Sequence, residues 1–248
     1  MMRLNVLLTA ALVMGWGAVP CAAEAENKAA SQAAVTLPYQ ALPSERKDEG
    51  AIKTHERFRA RTKEGPIGVL FIGDSITAGW SGNSGAAIWK KEFEPLQAAN
   101  FGRSSDATQH VLWRIMNGEL DGIEPKVVVL LIGTNNIASD QKVVTMGVTK
   151  IVETIREKLP KTKVLLLGVF PRGKSTDLPK IMEHVRGVNG DLAKLDDGKS
   201  VRYLDLGEKL APDGKVTKEV FSDGVHLTEK GYQIWAAGMM PLLRTMMN

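Results

Sequence analysis

Ser75 stands just beyond the apolar run Val69-Leu70-Phe71-Ile72, after Gly73-Asp74 and ahead of Ile76-Thr77-Ala78-Gly79-Trp80. A serine hydroxyl attacks an ester carbonyl only when a base removes its proton and oriented donors receive the charge that develops on the carbonyl oxygen. The chain supplies candidates for both. Asp223 precedes His226 across a turn containing Gly224, so its carboxylate can reach one imidazole nitrogen while the other faces outward. His226 is then the base, and Asp223 fixes its tautomer and stabilises the imidazolium. Three donors are at hand: the backbone N–H of Ser75, a backbone N–H from the loop Asn100–Asp106, and the side-chain amide of Asn135. Each feature has a plain structural alternative, since Asp74 or Ser75 could cap a helix and Asp223 and His226 could be an incidental pair. Together they fill every role of an acyl-transfer site.

The elements that must hold these residues follow from hydrophobic patterning. Continuous rather than alternating apolar runs mark strands covered on both faces. Such runs predict strands at Val69–Ile72, Val127–Ile132, Val164–Val169 and Val201–Leu206, with a shorter one before Asn100. Gly73 frees the backbone to turn sharply after the first strand. Amphipathic stretches between them predict helices over Gln109–Asn117, Val143–Leu159, Leu178–Leu195 and Thr228–Met247, the last perturbed at Pro241. Alternating strands and helices give an α/β sandwich of three layers around a parallel sheet. In such a sheet the loops beyond the carboxyl ends of the strands carry function. Ser75, the Asn100–Asp106 loop and Gly133-Thr134-Asn135-Asn136 all fall there. His110 and His184 compete weakly as bases, and the methionines near the C-terminus read as packing.

The 248 residues carry a formal charge of +4, 44% hydrophobic and 24% charged residues, a composition for one globular domain. No long run of one sign and no basic-aromatic interleaving is present, which disfavours nucleic acid as a partner. Arg3, the apolar stretch Leu4–Val19 and the small residues around Cys21-Ala22-Ala23 have the layout of a secretory signal, expected to end by Ala25. Acylation of Cys21 as a lipoprotein is the competing reading. Cleavage would remove the sole cysteine, leaving a chain without thiolate chemistry. Residues 26–65 are expected to form a linker, to Pro43, and a charged surface helix within Ser44–Lys63 in which His55 is solvated; the α/β domain then spans 66–248. No stable membrane insertion is expected.

Gly73-Asp74-Ser75, Asn100–Asp106, Gly133-Thr134-Asn135 and Asp223-x-x-His226 resemble, in order, the blocks of the GDSL, or SGNH, hydrolase superfamily. Asn100-Phe101-Gly102, His110-Val111-Leu112-Trp113-Arg114, Asn117-Gly118-Glu119-Leu120 and Pro171-Arg172-Gly173 are similar to the branch containing the catalytic subunits of intracellular platelet-activating-factor acetylhydrolase. The resemblance covers roughly Gly68 to Leu243. It implies a flavodoxin-like fold and ester hydrolysis through an acyl-enzyme, with neither metal nor cofactor. Ser75, Asp223 and His226 are then catalytic, and Ser75, Ser105 and Asn135 form the oxyanion hole. Substrate contacts fall to Asp74, Ile76, Thr134 and Val225, with branched Ile76 and Val225 favouring an acetyl group. Ser105 stands where the family places glycine; a positive φ there would strain a serine. Homodimerisation is suggested by the resemblance alone.

These readings converge on a secreted or periplasmic esterase for short-chain, acetyl O-esters of carbohydrates. A lysophospholipase or general arylesterase, and a non-catalytic binder of acylated glycans, are the alternatives.

Overall fold

The computed structural model describes residues 36–173 and 178–248. The expected signal segment lies outside the described residues. Leu37–Asn248 form one compact unit. Its centre is a five-stranded parallel sheet of β1 (Val69–Gly73), β2 (Ala98–Gly102), β3 (Val127–Leu131), β4 (Lys163–Leu167) and β5 (Val201–Leu204), in the order β2-β1-β3-β4-β5. The helices among the described residues are α1 (Glu49–Arg61), α2 (Ser75–Ala78), α3 (Ala86–Glu92), α4 (Thr108–Arg114), α5 (Gln141–Lys158), α6 (Leu178–Leu192), α7 (Gly207–Leu210) and α8 (Glu229–Met247).

β1 and β3 are buried along their whole length, which is why they read as unbroken apolar runs. Successive side chains then feed opposite layers. Leu70, Ile72, Val128 and Leu130 enter one core with Val111 and Leu112 of α4 and Val144, Val148 and Ile151 of α5. Val69, Phe71, Val127 and Val129 enter the other with Trp80, Phe93 and, from α8, Tyr232, Trp235 and Met239. The three-layer expectation is met. Met239, Met240 and Met246 are buried as packing, and α8 runs through Pro241 without ending.

Three expectations are corrected. Asn100 lies inside β2 rather than in a loop, its amide donating to Ser81 Oγ at 2.9 Å; a polar side chain is tolerated because β2 is an edge strand. The linker does not reach Pro43: Ala41 is buried and Gln40 O accepts from Thr108 Oγ1 at 2.8 Å. The third correction falls in α1, which lies on the surface with Phe58 as its apolar anchor. Phe58 stacks on Phe101 with ring centroids 4.5 Å apart. His55 is not solvated: Nδ1 pairs with buried Glu119 at 2.8 Å and the ring lies 4.9 Å from Trp113.

The strand order changes direction between β1 and β3, and a crevice at their carboxyl ends is the expected ligand position in such sheets. The loops that follow β1, β2 and β3 meet there. Arg103 N donates to Gly73 O at 3.0 Å, and Asn135 Nδ2 donates to Asp106 O at 2.8 Å.

Candidate active site

Gly73 ends β1, and glycine is needed for close approach: a Cβ there would sit 2.3 Å from Leu131 O and 2.2 Å from Thr77 Oγ1. The chain then passes directly into α2. Asp74 caps that helix, its Oδ1 accepting from Ile76 N at 2.9 Å. Capping therefore falls to Asp74, which leaves the next side chain free. Ser75 Oγ lies 2.9 Å from His226 Nε2.

The partner turn is built locally. Phe221 and Leu227 form an antiparallel bridge, and Ser222 N donates to His226 O at 2.8 Å. Within this closed loop, Asp223 Oδ1 accepts from Val225 N at 2.9 Å and His226 N at 2.8 Å. Its Oδ2 is 2.7 Å from His226 Nδ1. Bonds to the backbone and ring of His226 hold the Asp223 carboxyl down to about 2, against the opposing effect of burial. The carboxylate is thus ionised wherever imidazole chemistry operates, and assigns the Nδ1 proton so that Nε2 can accept from Ser75. The Asp223 and His226 side chains are 53% and 47% exposed.

Ser105, expected as an oxyanion donor in place of glycine, has φ +63°. It is the third residue of a turn, Arg103-Ser104-Ser105-Asp106, closed by Asp106 N donating to Arg103 O at 3.2 Å. Asn135 follows Gly133, whose φ of +123° starts the short turn Thr134–Asn136. Asn136 is buried and pins this turn to α4, accepting from Thr108 N at 2.9 Å. One Asn135 amide hydrogen is spent on Asp106 O; the other is available to a bound oxyanion. The backbone N–H groups of Ser75 and Ser105 make no hydrogen bond among the described residues.

Of the expected substrate contacts, Asp74 is corrected. It is fully buried and offers a substrate no surface. Burial, aided by the negative charge of Asp106, pushes its carboxyl up to about 7, with Ile76 N–H, His226 and Arg172 pulling the other way. Ile76 and Thr134 are buried at 2% and 4% exposure, so Ile76 packs beneath the triad, and Val225 alone of the four is partly open. His110 is a cap rather than a base, Nδ1 accepting from Ala107 N at 3.0 Å.

Residues around the site that spacing did not disclose are mostly arginines. Arg172 donates to Thr134 O at 2.6 Å. Asp106, wholly buried at the end of the Arg103–Asp106 turn, is paired with Arg103 at 3.0 Å and Arg114 at 2.7 Å. Pro171-Arg172-Gly173 was visible as a phrase, but only the fold reveals what it touches.

The chain is 38% identical over 180 residues to the human platelet-activating factor acetylhydrolase IB subunit alpha1, covering 72% of this chain and 76% of the relative. The human subunit alpha2 is 36% identical over 188 residues, covering 75% and 80%. A solved structure of a GDSL-like lipase from Bacteroides thetaiotaomicron VPI-5482 superposes with a TM-score of 0.62 at 20% identity, over 77% of this chain and 97% of that one. That likeness bears on the fold alone. Residues 71–234, from β1 into α8, match the model of the GDSL-like lipase/acylhydrolase family. Sequence identity over the same stretch that builds the Ser75 crevice places this chain in that family, as a GDSL-type carboxylic ester hydrolase.

Proposed function

We propose that the protein hydrolyses short-chain, acetyl O-esters through an acyl-enzyme on Ser75, and that its substrates are acetylated carbohydrates outside the cytoplasm. The reading is carried by the continuous hydrogen-bonded path Ser75–His226–Asp223, at 2.9 and 2.7 Å. In the forward step Ser75 Oγ bonds to the ester carbonyl carbon while its proton passes to His226 Nε2. The oxyanion takes hydrogen bonds from Ser75 N, Ser105 N and Asn135 Nδ2. Collapse expels the alcohol, which receives the proton from His226; water then repeats the sequence to release the acid.

Several observations support the finer reading. The relatives' name includes acetylhydrolase. The half-exposed Asp223 and His226 suit an ester displayed on a bulky polar alcohol, since the alcohol side needs little apolar burial. Among the described residues no helix is long and apolar enough to cross a membrane. The apolar N-terminal stretch supports export.

Hydrolysis of p-nitrophenyl esters of increasing acyl length, with Ser75→Ala alongside, tests the chemistry. Serine-dependent turnover that peaks at acetate is expected. Acetate release from acetylated oligosaccharides, set against lysophospholipids, then tests the alcohol; faster release from the lipid would remove the carbohydrate assignment.

A further inference from the structure

We propose that Arg46, in the segment leading to α1, is a positioning residue of the oxyanion hole: with Arg103 it holds the Ser104–Ser105 peptide so that the Ser105 N–H faces the reacting carbonyl. The inference rests on the serine-esterase reading above for its functional consequence, though not for its structural content.

The turn Arg103–Asp106 can close in two ways. Type II has a positive φ at its third residue and calls for glycine or asparagine there; type I has a φ of roughly −90° and suits serine. The two forms differ by about a half-turn of the central peptide, which here is the Ser104–Ser105 peptide. Interconversion therefore reverses the direction of the Ser105 N–H, the proposed oxyanion donor, and brings the Ser104 carbonyl to where that donor was. Serine left to itself favours the form with the donor turned away. Yet Ser105 has φ +63°, and a side-chain-bearing residue persists there only when its surroundings over-determine the conformation.

The surroundings that do so are on hand. Ser104 O accepts from Arg46 Nη1 at 3.2 Å and from Arg103 Nη1 at 3.3 Å. In a planar trans peptide the C=O and N–H point in opposite directions, so fixing the oxygen of Ser104 fixes the N–H of Ser105. Arg46 is itself held, Nε donating to Asp48 Oδ2 at 3.0 Å. Asp48 Oδ1 receives Arg103 Nη2 at 2.7 Å and Ala51 N at 2.9 Å, which caps α1. Arg46 and Asp48, half of this clamp, lie ahead of the 71–234 stretch matched by the family, and Arg103 lies within it. A serine in the glycine position and an arginine gripping the preceding carbonyl are two halves of one arrangement.

The test combines four variants: Arg46→Ala, Arg46→Lys, Ser105→Gly and the double variant Arg46→Ala/Ser105→Gly. Each is assayed for kcat and KM on p-nitrophenyl acetate, and Arg46→Ala and the double variant are crystallised. Arg46→Ala is expected to lower kcat about tenfold at little-changed KM, short of the 10²- to 10³-fold order for deleting an oxyanion donor. Glycine takes a positive φ unaided, so the double variant should recover to about the rate of Ser105→Gly alone. Arg46→Lys, with one donor group in place of a fork, should fall between and serves if Arg46→Ala loses the fold. An unaltered kcat in Arg46→Ala overturns the inference. So does a double variant as slow as Arg46→Ala, since the arginine would then act on something other than the peptide. The crystal structures read the same point without turnover: Ser105 should move to negative φ in Arg46→Ala, and an unchanged positive φ refutes the clamp. Absence of ester hydrolysis in the unaltered protein would remove the esterase reading, while the φ comparison would still decide the role of Arg46.

Discussion

Arg172 Nη1 donates to both the carbonyl oxygen and the hydroxyl of Thr134, at 2.6 and 2.9 Å, and the following residue, Gly173, donates its N–H to Gly224 O at 3.0 Å. Thr134 adjoins Asn135, the proposed oxyanion donor, and Gly224 adjoins Asp223. One dipeptide beyond β4 therefore fastens the turn after β3 to the turn that carries Asp223 and His226. The two halves of the site are connected by chain as well as by chemistry.

Replacing Arg172 by methionine keeps much of the side chain's bulk and removes both bonds. A carbonyl that loses its partner costs roughly 1–3 kcal/mol, the lower end applying where water can replace the donor, as around half-buried Arg172. Urea unfolding should show a loss of about 1 kcal/mol, with a fall in kcat larger than the change in KM. An unchanged kcat would mean that Asn136 and its bonds to α4 suffice to hold the Asn135 turn.

Asn135→Ala should lower kcat on acetyl esters by on the order of 10²- to 10³-fold. KM should change little, because full charge on the carbonyl oxygen exists only on the way to and from the tetrahedral intermediate. The variant also frees Asp106 O, to which Asn135 donates, so a small loss of thermal stability should accompany it. A collapse in substrate affinity at constant kcat would make Asn135 a ground-state binding residue.

The sheet, the triad and the Asn135 loop were legible in the chain because each is written in short-range terms. β1 and β3 are continuous apolar runs since both faces are covered, and the Asp223–His226 turn closes within its own seven residues, Phe221–Leu227. The strain at Ser105, φ +63°, was foreshadowed only through the family resemblance, which places glycine at that position. What escaped depends on partners far apart in sequence. His55 among charged neighbours looks solvated until Glu119, 64 positions away, is brought against it. Asp74 beside a nucleophile looks like a substrate contact until α2 buries it as a cap. Arg46 carries no local signal, and Arg172 only that of a recurring phrase, because an arginine's long side chain acquires meaning only from the carbonyl it meets.

Asp223 remains ionised down to about 2, so loss of its charge should not limit activity anywhere above that pH. Asp223→Asn should retain the fold and lose activity by about 10⁴-fold, the magnitude seen where the orienting carboxylate of a serine triad is replaced and the wrong tautomer results. A residual rate within about tenfold of wild type, well short of that magnitude, would show that backbone contacts alone orient His226.

Asp74 offers a test of the buried floor of the site through stability instead of turnover. Its carboxyl is raised from the ordinary 3.8 to about 7, so between these values the folded protein holds a proton that the unfolded chain has released. Stability depends on pH as the difference in protons bound, unfolded minus folded. That difference is negative here, and the Asp74 contribution is therefore lost as pH rises from about 4 to about 7 and is level above that. At about 1.4 kcal/mol per unit, the upper bound is about 4 kcal/mol. Asp74→Asn keeps the oxygen that accepts from Ile76 N and abolishes the titration. Aspartate already leaves Oδ2 without a partner, as asparagine would leave its amide, so the pH-independent cost of the change is small beside the slope. Denaturant unfolding of both proteins from pH 4 to pH 8 should show the variant gaining on the wild type as pH rises, with the gap closed at the acid end. Two curves that run parallel across that range would mean Asp74 is ionised throughout, with Arg172 and His226 together outweighing its burial.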